Sequence, residues 1–206
     1  MKVAVIGAGA AGLVAARELL KARHDVSVFE QSSRVGGIWV YQASSEPDPL
    51  GQAGPRLHAS MYASLRTNLP RDLMAFFDFS FDSSGGGVDD WPRYPGHAQV
   101  LRYLEEFADA FSLRQRIRFN TKVVQVIHED RWLVTIDGDN GSVTEAFDAL
   151  AVCNGHYTEP RVPDIPGSDH FPAHCVHSLS LIHISEPPRP ERRGGGRGGG
   201  EKKTRG

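Results

Sequence analysis

Apolar and polar positions alternate in a definite order at the start of the chain. Val3-Ala4-Val5-Ile6 is an uninterrupted apolar run and reads as a strand. Small residues follow from Gly7 to Gly12, and then Leu13, Ala16, Leu19 and Leu20 recur at helical spacing. Val26-Ser27-Val28-Phe29 reads as a second strand and ends at Glu30. Further on, Val100, Leu104, Phe107, Ala108 and Phe111 predict an amphipathic helix over about 97–111. Residues 123–127 and 132–136 predict strands, with a turn at 137–141 before the next strand, and 147–153 predicts a buried strand. Gln42 to Ala59, with its prolines, serines, acids and glycines, and the polar stretch Ser83 to Asp90 read as surface loops. The aromatic run Phe76 to Phe81 reads as core packing, since no basic patch accompanies it for stacking nucleic-acid bases. No internal repeat, metal-ligand cluster or membrane span stands out.

The first thirty residues have the order of a dinucleotide-binding βαβ unit: strand, G-x-G-x-x-G turn, helix, strand, terminal acid. Gly7 lets the chain turn off the strand, Gly9 lets a diphosphate approach the backbone, and Gly12 lets the helix pack on the sheet. The amides over Gly7, Ala8, Gly9, Ala10, Ala11 and Gly12, with the positive end of the helix, form an anion site. Glu30 lies about 20 residues beyond the glycines, where this motif puts its acid. A carboxylate there accepts hydrogen bonds from a ribose diol and repels a 2′-phosphate, so the site should prefer FAD or NAD to NADP. A secretory signal peptide is the competing reading of the same run, with Met1-Lys2 as its basic start. Three glycines at fingerprint spacing and the second strand weigh against it.

The motifs beyond the fingerprint narrow the cofactor. Glu30 is followed by Arg34, by the pair Gly36-Gly37, and by Ile38 and Trp39. This E-x-x-x-R-x-G-G-x-W run resembles flavoproteins that hold FAD in a first unit and a nicotinamide cofactor in a second. Ser64-Leu65-Arg66-Thr67-Asn68-Leu69-Pro70, Arg93-Tyr94-Pro95-Gly96-His97 and Cys153-Asn154-Gly155-His156-Tyr157-Thr158-Glu159-Pro160 then resemble plant flavin-containing monooxygenases, S-oxygenating branch. The resemblance runs from Met1 to about Ser178. It implies an α/β fold: a Rossmann-like FAD-binding domain of the two-dinucleotide-domain flavoprotein type, incomplete, with a smaller strand-rich lobe.

The resemblance also implies a chemistry. NADPH reduces FAD, O2 adds to give a flavin C4a-hydroperoxide, and a thioether sulfur or amine nitrogen of a small-molecule substrate takes the oxygen atom. The flavin carries the hard chemistry and the protein orients it. Asn68 matches the family's asparagine beside flavin and nicotinamide, which gives it the catalytic role. Its amide supplies both donors and acceptors, although a plain turn asparagine ahead of Leu69-Pro70 has the same sequence. The expected cofactor contacts are Gly7, Ala8, Gly9, Ala10, Ala11, Gly12, Glu30, Arg34, Gly37, Ile38, Trp39, Thr67, Asn68 and Gly155, with no metal. An amine oxidase or N-hydroxylase of the same architecture, or a non-catalytic FAD-binding fragment, stays open. The NADPH site is expected to be largely missing, because no second glycine fingerprint set between a strand and a helix follows His156.

The C-terminal stretch departs from this pattern. The family signature F-x-G-x-x-x-H has Phe171 and His177, but Ala173 replaces its glycine and Leu181 its later aromatic. Leu179 to Pro187 is what CTG TCT CTT ATA CAC ATC TCC GAG CCC encodes, a string resembling a transposon-type sequencing adapter. The expected division is therefore a partial FAD-binding domain over 1–178 and a disordered, artefactual tail over 179–206. An Arg/Gly-rich RNA-binding arm is the other reading of that tail. The 206 residues carry 23 Lys+Arg against 25 Asp+Glu, and the tail holds 7 of the basic and 3 of the acidic ones. The rest is mildly acidic, which argues against a nucleic-acid or anionic-membrane surface. Cys153 reads as a small buried hydrophobe and Cys175 as its only possible partner; two lone cysteines give no disulfide framework, so a reduced cytoplasmic setting is expected.

Overall fold

The computed structural model describes residues 1–41, 61–82, 90–138, 141–156 and 161–173. The loops read at 42–59 and 83–89, residues 157–160, Cys175, His177 and the 179–206 tail lie outside the described residues.

Strand β1 (Lys2–Ile6) sits centrally in a four-stranded sheet. It pairs in parallel with β2 (Asp25–Phe29) on one side and with β7 (Ala149–Val152) on the other; β2 in turn pairs with the two-residue β3 (Ile117–Arg118). Val3, Ala4 and Val5 are all buried, as an uninterrupted apolar run requires of a strand covered on both faces. Helix α1 (Ala10–Lys21) follows β1 and buries Gly12, Leu13 and Ala16. The short α2 (Arg71–Met74) and the longer α3 (His97–Ala110) follow β2.

One core lies between α1, α3 and one face of this sheet. Val5, Leu13, Val28, Leu104, Phe107 and Leu113 meet there. The aromatic run joins it: Phe81 stacks on Tyr103 at 3.8 Å between ring centres, and Phe79 meets Phe107 edge-on at 5.2 Å. The Tyr103 hydroxyl accepts from the Phe76 amide at 2.8 Å and donates to the Phe79 carbonyl at 2.5 Å. Phe76, Phe79 and Phe81 therefore pack as predicted, whereas Phe77 points wholly into solvent.

A second sheet is an antiparallel meander of β4 (Lys122–His128), β5 (Trp132–Gly138) and β6 (Gly141–Phe147). It packs on the other face of the first sheet through Val134, Ile136 and Phe147 against Ala4 and Phe29. The predicted strand over 147–153 is divided at Asp148. Phe147 ends β6 opposite Trp132, and the pairing with β1 starts at Ala149. Asp148 makes the join: its carboxylate accepts from the Lys2 amide at 2.7 Å and from Arg131 at 2.6 Å. No helix among the described residues is long and apolar enough to cross a membrane, and no group of His, Cys, Asp or Glu among them could hold a metal ion.

Candidate functional site: a glycine crest above the parallel sheet

The carboxyl ends of β1, β2 and β7 meet under the glycine turn, the place where open parallel sheets bind ligands. Gly7 has φ +99°, and a Cβ there would stand 2.5 Å from the Cys153 carbonyl oxygen. A Cβ on Gly12 would stand 1.9 Å from the Gly7 carbonyl oxygen. Both positions are closed to any side chain, so the turn lies flat on the end of β7. Gly9 is the N-cap of α1 and offers no side-chain cap, and the first turn holds no acid. The first intrahelical bond is Leu13 N–H to Gly9 O at 3.0 Å. The amides of Ala10, Ala11 and Gly12 thus precede any intrahelical acceptor and carry the positive end of the helix.

Glu30, one residue past β2, is buried at 8% exposure. Its Oε2 accepts from the Ala8 amide at 2.7 Å, and its Oε1 accepts from the Ser32 amide at 2.9 Å and the Ser32 hydroxyl at 2.8 Å. The Ser32 hydroxyl also lies 2.8 Å from the Arg34 carbonyl, and its single hydrogen serves one acceptor at a time. A carboxylate has about four acceptor positions. Oε2 therefore keeps one position for a further donor, and Oε1 gains one when Ser32 turns to Arg34. That is acceptor capacity for the two hydroxyls of a ribose, on a carboxylate that also fixes the glycine turn.

The segment after Ser32 closes the other side. The Gly36 amide donates to the Ala8 carbonyl at 3.1 Å. Gly36 has φ +127°, and a Cβ there would lie 2.3 Å from Leu101 Cδ1 of α3. Gly37 has φ +55°, and its Cβ would lie 3.0 Å from Gly9 Cα. The Gly-Gly pair therefore runs backbone against backbone along the glycine turn, and it is Gly37 rather than Gly9 that the approach keeps small. Residues Gly37–Trp39 form one 3₁₀ turn, with Ile38 exposed and Trp39 partly buried against the core.

The remaining candidates fall into two groups. Thr67 is buried; its amide donates to Pro95 O at 3.0 Å and its hydroxyl to Leu69 O at 2.8 Å, which leaves Asn68 exposed in a turn. Arg34 is turned to α3, where it pairs with Glu105 at 2.5 Å. Gly155, φ +76°, lies in an exposed loop two residues past Cys153, with nothing within 4 Å of a would-be Cβ. The structure thus gathers Gly7 to Gly12, Glu30 and Gly36 to Trp39 into one crest. Arg34 and Gly155 flank it, and Asn68 sits in a turn that packs on the residues before α3. Cys153 is partly buried and burial pushes its thiol pKa up, in keeping with a packing role.

Sequence reading gave no role to Ser32 or His97. Ser32 follows the acid by two residues, the spacing at which a serine folds back on a carboxylate. His97 ends a quoted motif and begins α3, but its partners Ala63 and Tyr41 lie far away in the chain.

The flavin-binding monooxygenase-like profile matches residues 1–186. The chain belongs to that family. It is 53% identical over 184 residues to flavin-containing monooxygenase FMO GS-OX5 of Arabidopsis thaliana, an alignment covering 86% of this chain and 40% of that protein. The fold superimposes on the S-allyl-L-cysteine S-oxygenase of Allium sativum with TM-score 0.79 and 47% identity, covering 87% of this chain and 42% of the other. It also superimposes on a steroid monooxygenase solved bound to NADP, with TM-score 0.57 and 28% identity, covering 82% and 28%. The chain spans about two fifths of the length of the Arabidopsis relative it matches. The family match confirms the resemblance read from the motifs and extends past Ser178, where the motifs end.

Proposed function

We propose that this chain is the FAD-binding part of a flavin-dependent monooxygenase that uses NADPH and O2 to oxygenate the sulfur of a small thioether or the nitrogen of an amine. The observation that carries the reading is the buried Glu30 carboxylate. It is pinned to the glycine turn by the Ala8 amide and retains acceptor positions suited to a ribose diol. The residues fit the group: Gly7 and Gly12 form a turn that a Cβ would fill, and the start of α1 offers amides without a side-chain cap.

In this reading the amides of Ala10, Ala11 and Gly12 hold the diphosphate and Glu30 grips the adenosine ribose. Gly36 and Gly37 let the backbone pass close to the cofactor, with Ile38 and Trp39 beside it. Bound FAD supplies the electron transfer and oxygen activation. Thr67 holds the turn that presents the Asn68 amide toward reacting groups, donating or accepting as they require. Arg34 and Gly155 contribute from the rim. A reducing, cytosolic compartment suits the thiol of Cys153. The S-oxygenase likeness favours a thioether over an amine. NADPH binding belongs to the further part that the longer relatives possess.

Titration of the purified chain with FAD tests the reading. A yellow, stoichiometric complex that is lost on Gly12→Ala is expected. A soluble, folded chain that stays colourless and takes up no FAD refutes it.

A further inference from the structure

The first turns of α3 touch two segments, one of which is part of the crest. Leu101 packs on Gly36 of the Gly-Gly pair. Gly96 bridges Arg66 in an antiparallel contact, and the His97 amide donates to Leu65 O at 3.3 Å. The His97 ring does both jobs at once. Its Nε2 lies 3.2 Å from the Ala63 carbonyl, and its face meets Tyr41 at 5.1 Å between ring centres. A carbonyl oxygen only accepts, so Nε2, not Nδ1, carries the hydrogen in this contact. That Nδ1 is buried without a hydrogen-bond partner among the described residues. One imidazole therefore joins the Ala63–Asn68 segment to the Gly36–Tyr41 segment.

We propose that His97 is the positioning residue that fixes the Thr67-Asn68 turn relative to the Gly36–Trp39 backbone, and so sets where the Asn68 amide stands beside bound flavin. The inference rests on the FAD reading given above. His97 touches neither the glycine turn nor Glu30, and it acts through the Ala63 carbonyl and the Tyr41 ring. Its two contacts are separable by substitution. His97→Phe keeps a ring against Tyr41 and loses the donor to Ala63. His97→Gln places an amide N–H where Nε2 stood and loses the ring.

Two measurements on the full chain decide it: amide hydrogen exchange of residues 64–68, and the visible absorption band of bound FAD. In H97F, the Leu65 and Thr67 amides, which donate to Tyr62 O and Pro95 O, should exchange about tenfold faster. That is the scale of one lost tethering hydrogen bond. The Gly7 and Ala8 amides should keep their protection, FAD affinity should change by less than about twofold, and the flavin band should move toward that of free FAD. H97Q, which keeps a donor to Ala63 but loses the ring against Tyr41, should restore the exchange signal toward wild type and leave the flavin band displaced. Exchange and spectrum unchanged in H97F, exchange in H97Q indistinguishable from that in H97F, or a wild-type flavin band in H97Q, overturns the proposal. If H97F does not fold, H97Q against His97→Asn makes the same comparison, since the shorter amide cannot reach Ala63. A wild-type chain that binds no FAD refutes the functional reading alone, and the exchange comparison still decides the tether.

Discussion

Replacing Gly12 with alanine should unsettle the crest more than replacing Gly9, although both belong to the same fingerprint. At Gly12 the new Cβ would lie 1.9 Å from Gly7 O, 2.9 Å from Gly7 C and 3.5 Å from Cys153 Cβ. The obstacle is backbone, roughly 1 Å inside any tolerable approach, and it cannot rotate away as a side chain would. Gly7 itself is tied to Phe29 O at 2.8 Å and faces Cys153 O. Alanine gains about 1 kcal/mol of helix propensity over glycine, and an overpacking clash costs about 1–3 kcal/mol. With a rigid obstacle the cost sits near the upper figure, so a net loss of about 2 kcal/mol is expected. At roughly 2–4 °C per kcal/mol this lowers Tm by about 4–8 °C. At Gly9 the Cβ would meet Gly37 Cα at 3.5 Å, an ordinary contact, and φ is −76°. Gly9→Ala should cost less than about 1 kcal/mol, the penalty of alanine at an N-cap. Thermal and denaturant unfolding of the three proteins, with FAD binding measured alongside, is the assay. If G12A melts with wild type, or G9A melts lower than G12A, the account of the turn is wrong.

Other outcomes follow from the same contacts. Glu30→Leu strands the buried Ala8 amide and should cost about 1–3 kcal/mol in denaturant unfolding, together with FAD binding; FAD affinity unchanged from wild type would remove Glu30 from the site. Burial pushes the Tyr103 phenol up to about 12 from its ordinary 10. The neutral phenol is thus the native form, and stability should fall as pH rises from 10 to about 12 because the unfolded chain ionises first. Tyr103→Phe should flatten that slope in pH-dependent unfolding, at the expense of unpaired Phe76 and Phe79 backbone groups. The Glu145 carboxylate is held below its ordinary pKa by Arg118 first and then Lys2, against the opposing effect of burial. Its contribution should be present above about pH 4.5 and fade as pH falls further, so Glu145→Gln should reduce the acid-side loss of stability. For the tail, amplification across codon 179 from independent genomic DNA should interrupt the Leu179-Ser180-Leu181 frame; an uninterrupted frame refutes its artefactual origin.

Local order along the chain was enough to read the βαβ unit, α3 and the β4–β6 meander, because each rests on a period of 2 or 3.6 and on neighbouring glycines. Both the fingerprint glycines and Glu30 were legible for the same reason: their spacing is fixed by one strand and one helix. The division of the 147–153 run at Asp148 was not legible. An apolar run looks the same whether it stays in one sheet or crosses between two, and only the Lys2 and Arg131 contacts mark the join.

The sequence by itself determined that β1 is apolar throughout, that a glycine turn follows it, and that a carboxylate stands at the end of β2. Those are properties of residue type and spacing. Tertiary structure alone decided how the pieces face each other: Gly37 against Gly9, Arg34 turned away to Glu105, and His97 between Ala63 and Tyr41. Most of these partners are brought together by the packing of α3 on the parallel sheet, over separations that no local period encodes.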